Sequence, residues 1–153
     1  MSQKQQIIAQ NRKAHYEYHI EENIEAGIVL EGSEVKSLRL GRCSIIDGFV
    51  QEVEGQLWLY GINISEYNSG RVFGHSPLRA RKLLLHKKQI KKLIGKIRIK
   101  GYTLIALSFY FNNKQKVKVN LGLAKGKKLH DKRQAEKERD WQREKAKIFK
   151  ENK

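Results

Sequence analysis

Residues 102–123 read Tyr102-Thr-Leu-Ile-Ala-Leu-Ser-Phe-Tyr-Phe111, then Asn-Asn-Lys-Gln-Lys, then Val117-Lys-Val-Asn-Leu-Gly-Leu123. Two runs rich in β-branched, aromatic and aliphatic residues, joined by a short polar connector, predict an antiparallel hairpin about Asn112-Asn113. The first run is too apolar to stay in solution uncovered, so the hairpin must lie in a core.

Working outward, Ile97 and Ile99 alternate with basic residues and extend the strand pattern upstream. Before them the spacing becomes helical. Leu83, His86, Ile90, Leu93 and Ile94 share one face, Lys87, Lys88, Lys91 and Lys92 occupy the other, and Gly95 supplies a stop. Residues 70–77 read as a loop ending at Pro77, the only proline. Residues 48–53 and 56–62 are strand-like around a tight turn at Glu54-Gly55. Ser33 can cap a short helix with Val35 and Leu38 on its inner face, ended by Gly41. Residues 15–22 place Tyr16, Tyr18 and Ile20 on one side, and a second strand follows over 24–30 after a bulge at Gly27. Strands dominate, connections are short and no βαβ alternation occurs. The fold class expected is mainly β: a small closed antiparallel barrel with two or three short flanking helices. Residues 1–126 form that domain, and 127–153 form a basic tail expected to be disordered alone and helical when bound.

The chain has 153 residues, 32 Lys and Arg against 16 Asp and Glu, and a net charge of +16. The excess is local: residues 67–130 hold 17 basic residues and no acid, whereas residues 1–66 carry a net −4. Because the acid-free segment includes the hairpin, it is a folded part of the domain with a basic surface, and a polyanion is the expected partner. Aromatic content is 8%, so phosphate charge should carry more affinity than base stacking. No run reaches the roughly 18 apolar residues of a membrane span, and residues 1–10 hold no signal-peptide core. A cytoplasmic protein with no membrane partner is expected.

Catalytic readings are weak. Gly122-Leu-Ala-Lys-Gly126-Lys127-Lys128 has three residues between its glycines where a phosphate loop needs four, and Lys128 stands where Ser or Thr would hold magnesium. His15 and His19 lie four apart without a Cys or carboxylate partner, so no metal is expected. Glu25, Glu31, Glu34 and Asp47 show no pairing that would serve a hydrolase; a nuclease whose carboxylates converge from afar remains an alternative, as does a structural ribosomal protein. Cys43, the only cysteine, reads as a small buried hydrophobe. The expectation is a binding protein with no catalytic residues, cofactor or small-molecule substrate, monomeric when free.

Several stretches together resemble one family, the SsrA-binding proteins, partners of transfer-messenger RNA in bacterial ribosome rescue. They are Asn11-Arg-Lys-Ala14, Glu25-Ala-Gly27, Gly32-Ser-Glu-Val-Lys-Ser-Leu-Arg39, Arg81-Lys-Leu-Leu-Leu85, Lys100-Gly-Tyr102, the 122–128 run, and His130-Asp-Lys-Arg133. The resemblance spans nearly the whole chain. It implies a barrel of oligonucleotide-binding type that grips the tRNA-like part of transfer-messenger RNA, and a C-terminal tail that enters the empty messenger channel of a stalled ribosome as a helix. Ala106 stands where many members carry proline.

The resemblance also implies residue roles. Asn11, Arg12, Lys13 and Glu25 fall at RNA-binding positions of the barrel, and Lys36 and Arg39 belong to another matching stretch. Arg81, Lys82 and Leu85 match a further segment, as do Lys125, Lys127 and Lys128. Cations there would neutralise phosphate, whereas Glu25 would accept hydrogen bonds from a base or sugar or hold a neighbouring Arg. In the tail, His130, Asp131, Lys132 and Arg133 would meet the decoding centre, and Trp141, Ile148 and Phe149 would supply the apolar face of the helix in the messenger channel.

Overall fold

A computed structural model describes residues 6–67, 74–126 and 129–151, without side chains at 129–132, 134–135 and 148–151. Among these the chain forms nine strands and four helices. It begins with β1 (Gln6–Gln10), a helical turn α1 (Ala14–Glu17) and the long β2 (Tyr18–Ile28). Then come α2 (Gly32–Arg39), β3 (Cys43–Ser44), β4 (Phe49–Val53), β5 (Gln56–Tyr60) and β6 (Asn63–Ile64). The second half holds β7 (Arg81–Leu84), α3 (Lys87–Ile97), β8 (Tyr102–Phe111), β9 (Val117–Gly126) and α4 (Leu129–Glu151).

The expected hairpin is the spine. β8 and β9 pair from Tyr102↔Lys125 to Phe111↔Val117, and Asn112 Oδ1 closes the connector by accepting the backbone N–H groups of Lys114 and Lys116 at 3.0 and 2.9 Å. β2 lies on the far side of β9. Following the pairings from β8 through β4, β5, β7, β2 and β9 returns to β8, so six strands close a ring, and every pairing is antiparallel. The β4–β8 seam is brief, Phe49 opposite Ile105, and is reinforced by the Ala106 N–H donating to Gly48 O at 3.1 Å. A proline at 106 has no such N–H to give. β1 runs beside the outer half of β8, and β3 with β6 makes a separate ribbon.

Inward-facing residues of the ring form one core, with Ile24, Ala26, Leu57, Leu59, Leu83, Leu104, Phe109, Val119, Leu121 and Leu123 buried together. Each fully buried Leu, Ile or Phe contributes about 1.5–3 kcal/mol. A bulge between Ala106 and Ser108 breaks the alternation of β8. Ile105 and Leu107 there join Ala14 and Ala124 in a second small cluster, covered by Tyr18 and Ile20. Gly122 makes room for it: a Cβ there would sit 2.9 Å from Leu107 Cδ1. Cys43 packs against the main core, and burial, partly offset by the Arg81 charge, pushes its thiol up to about 11.

Several boundaries differ from the sequence reading. The strand over 18–28 is continuous, its bulge lies between Ile20 and Glu22, and Tyr16 belongs to a helical turn. Gly27 serves close packing instead: a Cβ there would meet Leu84 Cβ at 3.2 Å. Leu83 is strand, opposite Ile28, and α3 starts after His86, whose backbone N–H donates to Gln89 Oε1 at 3.3 Å. Gly95 does not end α3, because Ile97 extends the apolar stripe one more turn; within the helix it costs about 1 kcal/mol relative to Ala. The chain instead turns into β8 through Gly101, at φ +91°. Glu31, not Ser33, caps α2 in a reciprocal box with Glu34, and Gly41, at φ +70°, ends it as expected. The expected loop at 70–77 falls partly outside the described residues.

α2 is fastened to the ring by a buried ion cluster. The Glu34 carboxylate, wholly buried, accepts hydrogen bonds from the guanidinium groups of Arg79 and Arg81. Arg81, also wholly buried, donates in addition to Ile62 O at 3.0 Å and Pro77 O at 3.1 Å. Burial alone would raise the Glu34 pKa, but the Glu31 N–H and the two guanidinium groups outweigh it, and the net shift is downward. A carboxylate with a lowered folded-state pKa contributes stability above the ordinary glutamate range, and that contribution is lost as acid protonates the folded form. Glu34→Gln should therefore lower stability at pH 7 by about 3–5 kcal/mol, because it strands the Arg81 charge in the core. Urea denaturation of the two proteins at pH 7 checks this, and their difference should shrink on acidification.

Candidate nucleic-acid interface

The outer faces of β2, β9 and β8 lie side by side in rows set by the register. Glu25 stands opposite Asn120, and Asn120 opposite Ser108; one row along, Gly27 faces Lys118 and Lys118 faces Tyr110. This strip of polar groups arises because β-strands alternate their side chains, so the aliphatic inner face leaves Asn23, Glu25, Lys118 and Asn120 outside. The α1 segment borders it, seated on the second apolar cluster by Ala14.

Two adjoining hollows result. One, of about 450 Å³, is lined by Gln10, Asn11, Arg12, His15, Asn23, Leu107, Ser108 and Asn120. The other, of about 440 Å³, is lined by Glu25, Gly27, Leu84, Leu85, His86, Gln89 and Lys118. Asn11 is the best-anchored member: its backbone N–H donates to Leu107 O at 2.8 Å and its Nδ2 to Ile46 O at 3.3 Å. Its Oδ1 is buried and has no hydrogen-bond partner among the described residues, so the fold leaves the desolvation of that acceptor uncompensated. Glu25 is exposed and accepts the Tyr110 hydroxyl. Burial, and then the bond to that carboxylate, hold the Tyr110 phenol well above its ordinary pKa. Arg12 and Lys13 are exposed beside the first hollow, while Lys125 is exposed and lies over the Tyr102 ring, 5.7 Å from its centre.

The structure thus gathers Asn11, Arg12, Glu25 and Leu85 along one continuous strip, with Lys13 at its border. Lys36 and Arg39, exposed on α2, and Lys82, half-buried opposite Trp58, line neither hollow. Arg81 corrects the expectation. Its guanidinium is sealed in the core against Glu34, so it cannot touch RNA and acts by holding β7 in place. Lys127 and Lys128 lie outside the described residues, as do the side chains of His130, Asp131, Lys132, Ile148 and Phe149. Arg133 and Trp141 are exposed on α4, which meets α1 through Tyr16: its hydroxyl donates to Glu136 at 3.5 Å and Arg139 lies 5.1 Å from its ring centre. Sequence reasoning missed Asn23, Ser108, Tyr110 and Asn120, although on β2 and β9 the period-two alternation of small polar with aliphatic residues marks the outer face. Among the described residues no helix is long and apolar enough to cross a membrane, and no three His, Cys, Asp or Glu side chains gather as a metal site would require.

The model of the SmpB protein family matches residues 8–151. The chain belongs to the SmpB family. Curated relatives called SsrA-binding protein from Rickettsia canadensis (strain McKiel) and Rickettsia felis (strain ATCC VR-1525 / URRWXCal2) are each 56% identical over 149 residues, covering 97% of this chain and 98% of theirs. A solved SmpB-type chain, from the structure described as "tmRNA-SmpB: a journey to the center of the bacterial ribosome", is 45% identical with a TM-score of 0.67, covering 79% of this chain and 85% of that one.

Tyr110→Phe tests the geometry directly. It should leave the fold intact, as read by circular dichroism, and lower stability to urea by about 1–2 kcal/mol through loss of a hydrogen bond to a carboxylate.

Proposed function

We propose that this protein binds the tRNA-like part of transfer-messenger RNA through the strip between α1 and β7 and brings it to stalled ribosomes for rescue and tagging. The observation that carries the reading is the exposed Glu25 carboxylate, held in place by the Tyr110 hydroxyl on a strip that also carries the exposed Arg12 and, at its border, Lys13. Charge at the border favours any RNA, whereas positioned acceptors favour one particular arrangement of donors. Relatives named SsrA-binding protein and the solved tmRNA-SmpB chain support the choice of RNA. The closed ring is read as a barrel of oligonucleotide-binding type. Arg12, Lys13 and Lys118 neutralise phosphates at the strip, Leu85 offers an apolar rest, and Lys36, Arg39, Lys82, Lys125, Lys127 and Lys128 are read as outlying phosphate contacts. The protein acts by binding alone, in the cytoplasm, with the chemistry left to the ribosome.

A mobility shift in physiological salt tests this. Wild-type protein should bind transfer-messenger RNA at least tenfold more tightly than bulk tRNA, and Glu25→Ala should erase most of that preference; equal binding of the two RNAs sinks the reading.

The tail is proposed as a separate functional unit. Residues 127–153 enter the empty messenger channel as a helix, with His130, Asp131, Lys132 and Arg133 at the decoding centre and Trp141, Ile148 and Phe149 on the channel-facing side. Deleting residues 131–153 should leave transfer-messenger RNA affinity within about threefold and abolish peptide tagging in a stalled-ribosome assay, a few-fold shift being what losing exposed rim charge does. Loss of both together speaks against that division.

A further inference from the structure

Alternation along β8 sends Phe109 and Phe111 into the core and so turns Tyr110, between them, to the outer face. An outer-face side chain is ordinarily open to water, yet Tyr110 is only 5% exposed and joins neither apolar cluster. The register shows where its ring goes. Tyr110 stands opposite Lys118 of β9, which stands opposite Gly27 of β2, whereas Glu25 belongs to the next outer row, with Asn120 and Ser108. The Tyr110 hydroxyl nevertheless donates to Glu25 Oε2. The side chain therefore crosses above β9 from one row to the next and ties the two flanking strands of the strip together.

The identity of the donor matters as much as the bond. Glu25 is exposed in a chain of net charge +16, and Lys118 lies two residues along β9 from its cross-strand neighbour Asn120. Among the described residues, however, no lysine or arginine pairs with it. A cation in that place would fix the carboxylate and neutralise it together, whereas a neutral phenol fixes it and leaves its charge whole. Burial, and then the bond to Glu25, hold the phenol well above its ordinary pKa, so it stays a donor at neutral pH. A fixed, fully charged carboxylate repels phosphate and accepts from N–H or O–H groups.

We propose that Tyr110 is a positioning residue for RNA discrimination: it aims the Glu25 carboxylate into the second hollow, where that group takes a hydrogen-bond donor of the RNA and not a phosphate. Glu25 lines the hollow and Tyr110 lines neither, so the phenol acts through Glu25 without touching RNA. The gain is preorganisation. A carboxylate free to rotate accepts donors from several directions and loses that freedom on binding, whereas a fixed one selects a single direction and has less entropy to lose. The inference rests on the reading that the strip binds transfer-messenger RNA.

A second bond of the same kind supplies the control. Tyr102, also on β8, donates to Glu21 Oε1 on β2 at 3.0 Å, but Tyr102 is half-buried, Glu21 is exposed, and Glu21 lines neither hollow. Removing that hydroxyl takes away an equivalent tie between the same two strands and leaves Glu25 untouched.

The test compares full-length wild type with Tyr110→Phe, Tyr102→Phe, Glu25→Ala and the double variant Tyr110→Phe with Glu25→Ala. Each is measured for circular dichroism and for affinity to transfer-messenger RNA and to bulk tRNA across a salt series. Tyr110→Phe should reduce the preference for transfer-messenger RNA by about five- to tenfold and leave the salt slope of binding unchanged. Tyr102→Phe should keep the wild-type preference. In the double variant, Tyr110→Phe should add nothing to the loss caused by Glu25→Ala, because the two residues act as one unit. Unchanged preference in Tyr110→Phe, additive losses in the double variant, an equal loss in Tyr102→Phe, or a salt slope that changes with the phenol each overturn the proposal. So does a Tyr110→Phe protein that lacks the circular dichroism of the fold, since the phenol is then structural. Any of these results beside an impaired Glu25→Ala leaves the strip reading standing, whereas wild-type protein that binds the two RNAs equally overturns both.

Discussion

The buried carboxylate of Glu34, held between Arg79 and Arg81, is the constraint on which the remaining structure depends. α2 belongs to no sheet, and β7 is four residues long, with two residues paired to β2 and two to β5. Strand hydrogen bonds alone would leave that side of the ring lightly closed. The ion cluster binds α2 to β7, and Arg81 reaches on to Ile62 O and Pro77 O. His75, also buried, adds hydrogen bonds to Ser33 and Ile64 O. Removing these charges from water costs several kcal/mol per ion, and satisfying the donors and acceptors in the cluster is what offsets it. The consequence reaches the interface, since β7 leads directly into Leu84, Leu85 and His86 at the second hollow.

The uneven charge of the sequence becomes a division of labour in three dimensions. Acids of the N-terminal part are spent internally: Glu34 on Arg79 and Arg81, Glu22 on Lys92, Glu52 on Arg98, and Glu21 and Glu25 on the hydroxyls of Tyr102 and Tyr110. All of these ties cross from the N-terminal part to the acid-free segment. They secure the basic half to the domain at a few points and leave its other cations on the surface. A polyanion then meets a fixed array of charge, with less conformational entropy to lose than a flexible basic arm would have.

The β8–β9 hairpin, the Glu54-Gly55 turn and the helix ended by Gly41 were all legible in the sequence, because periodicity and left-handed turn positions are local properties. So was the confinement of charge to residues 67–130. Local patterns misled where two periods fit the same residues. Leu83 satisfies the helical stripe of α3, yet its place opposite Ile28 makes it strand, and Gly95 resembles a stop until Ile97 finds the core one turn later. The site was half legible. Asn11, Arg12, Glu25 and Leu85 came from a resemblance, while Asn23, Ser108 and Asn120 became neighbours only when three strands aligned.

Arg81 marks the boundary between the two kinds of information. By itself the sequence determined that this is a mainly β, strongly basic domain with a hairpin at its centre, because those features follow from residue type and spacing. Only the tertiary structure decided which charges face solvent. Arg81 and Lys82 are adjacent and chemically alike, but strand alternation sends one inward to a carboxylate 47 residues away and leaves the other half-buried at the surface, and no local rule encodes where that carboxylate will be.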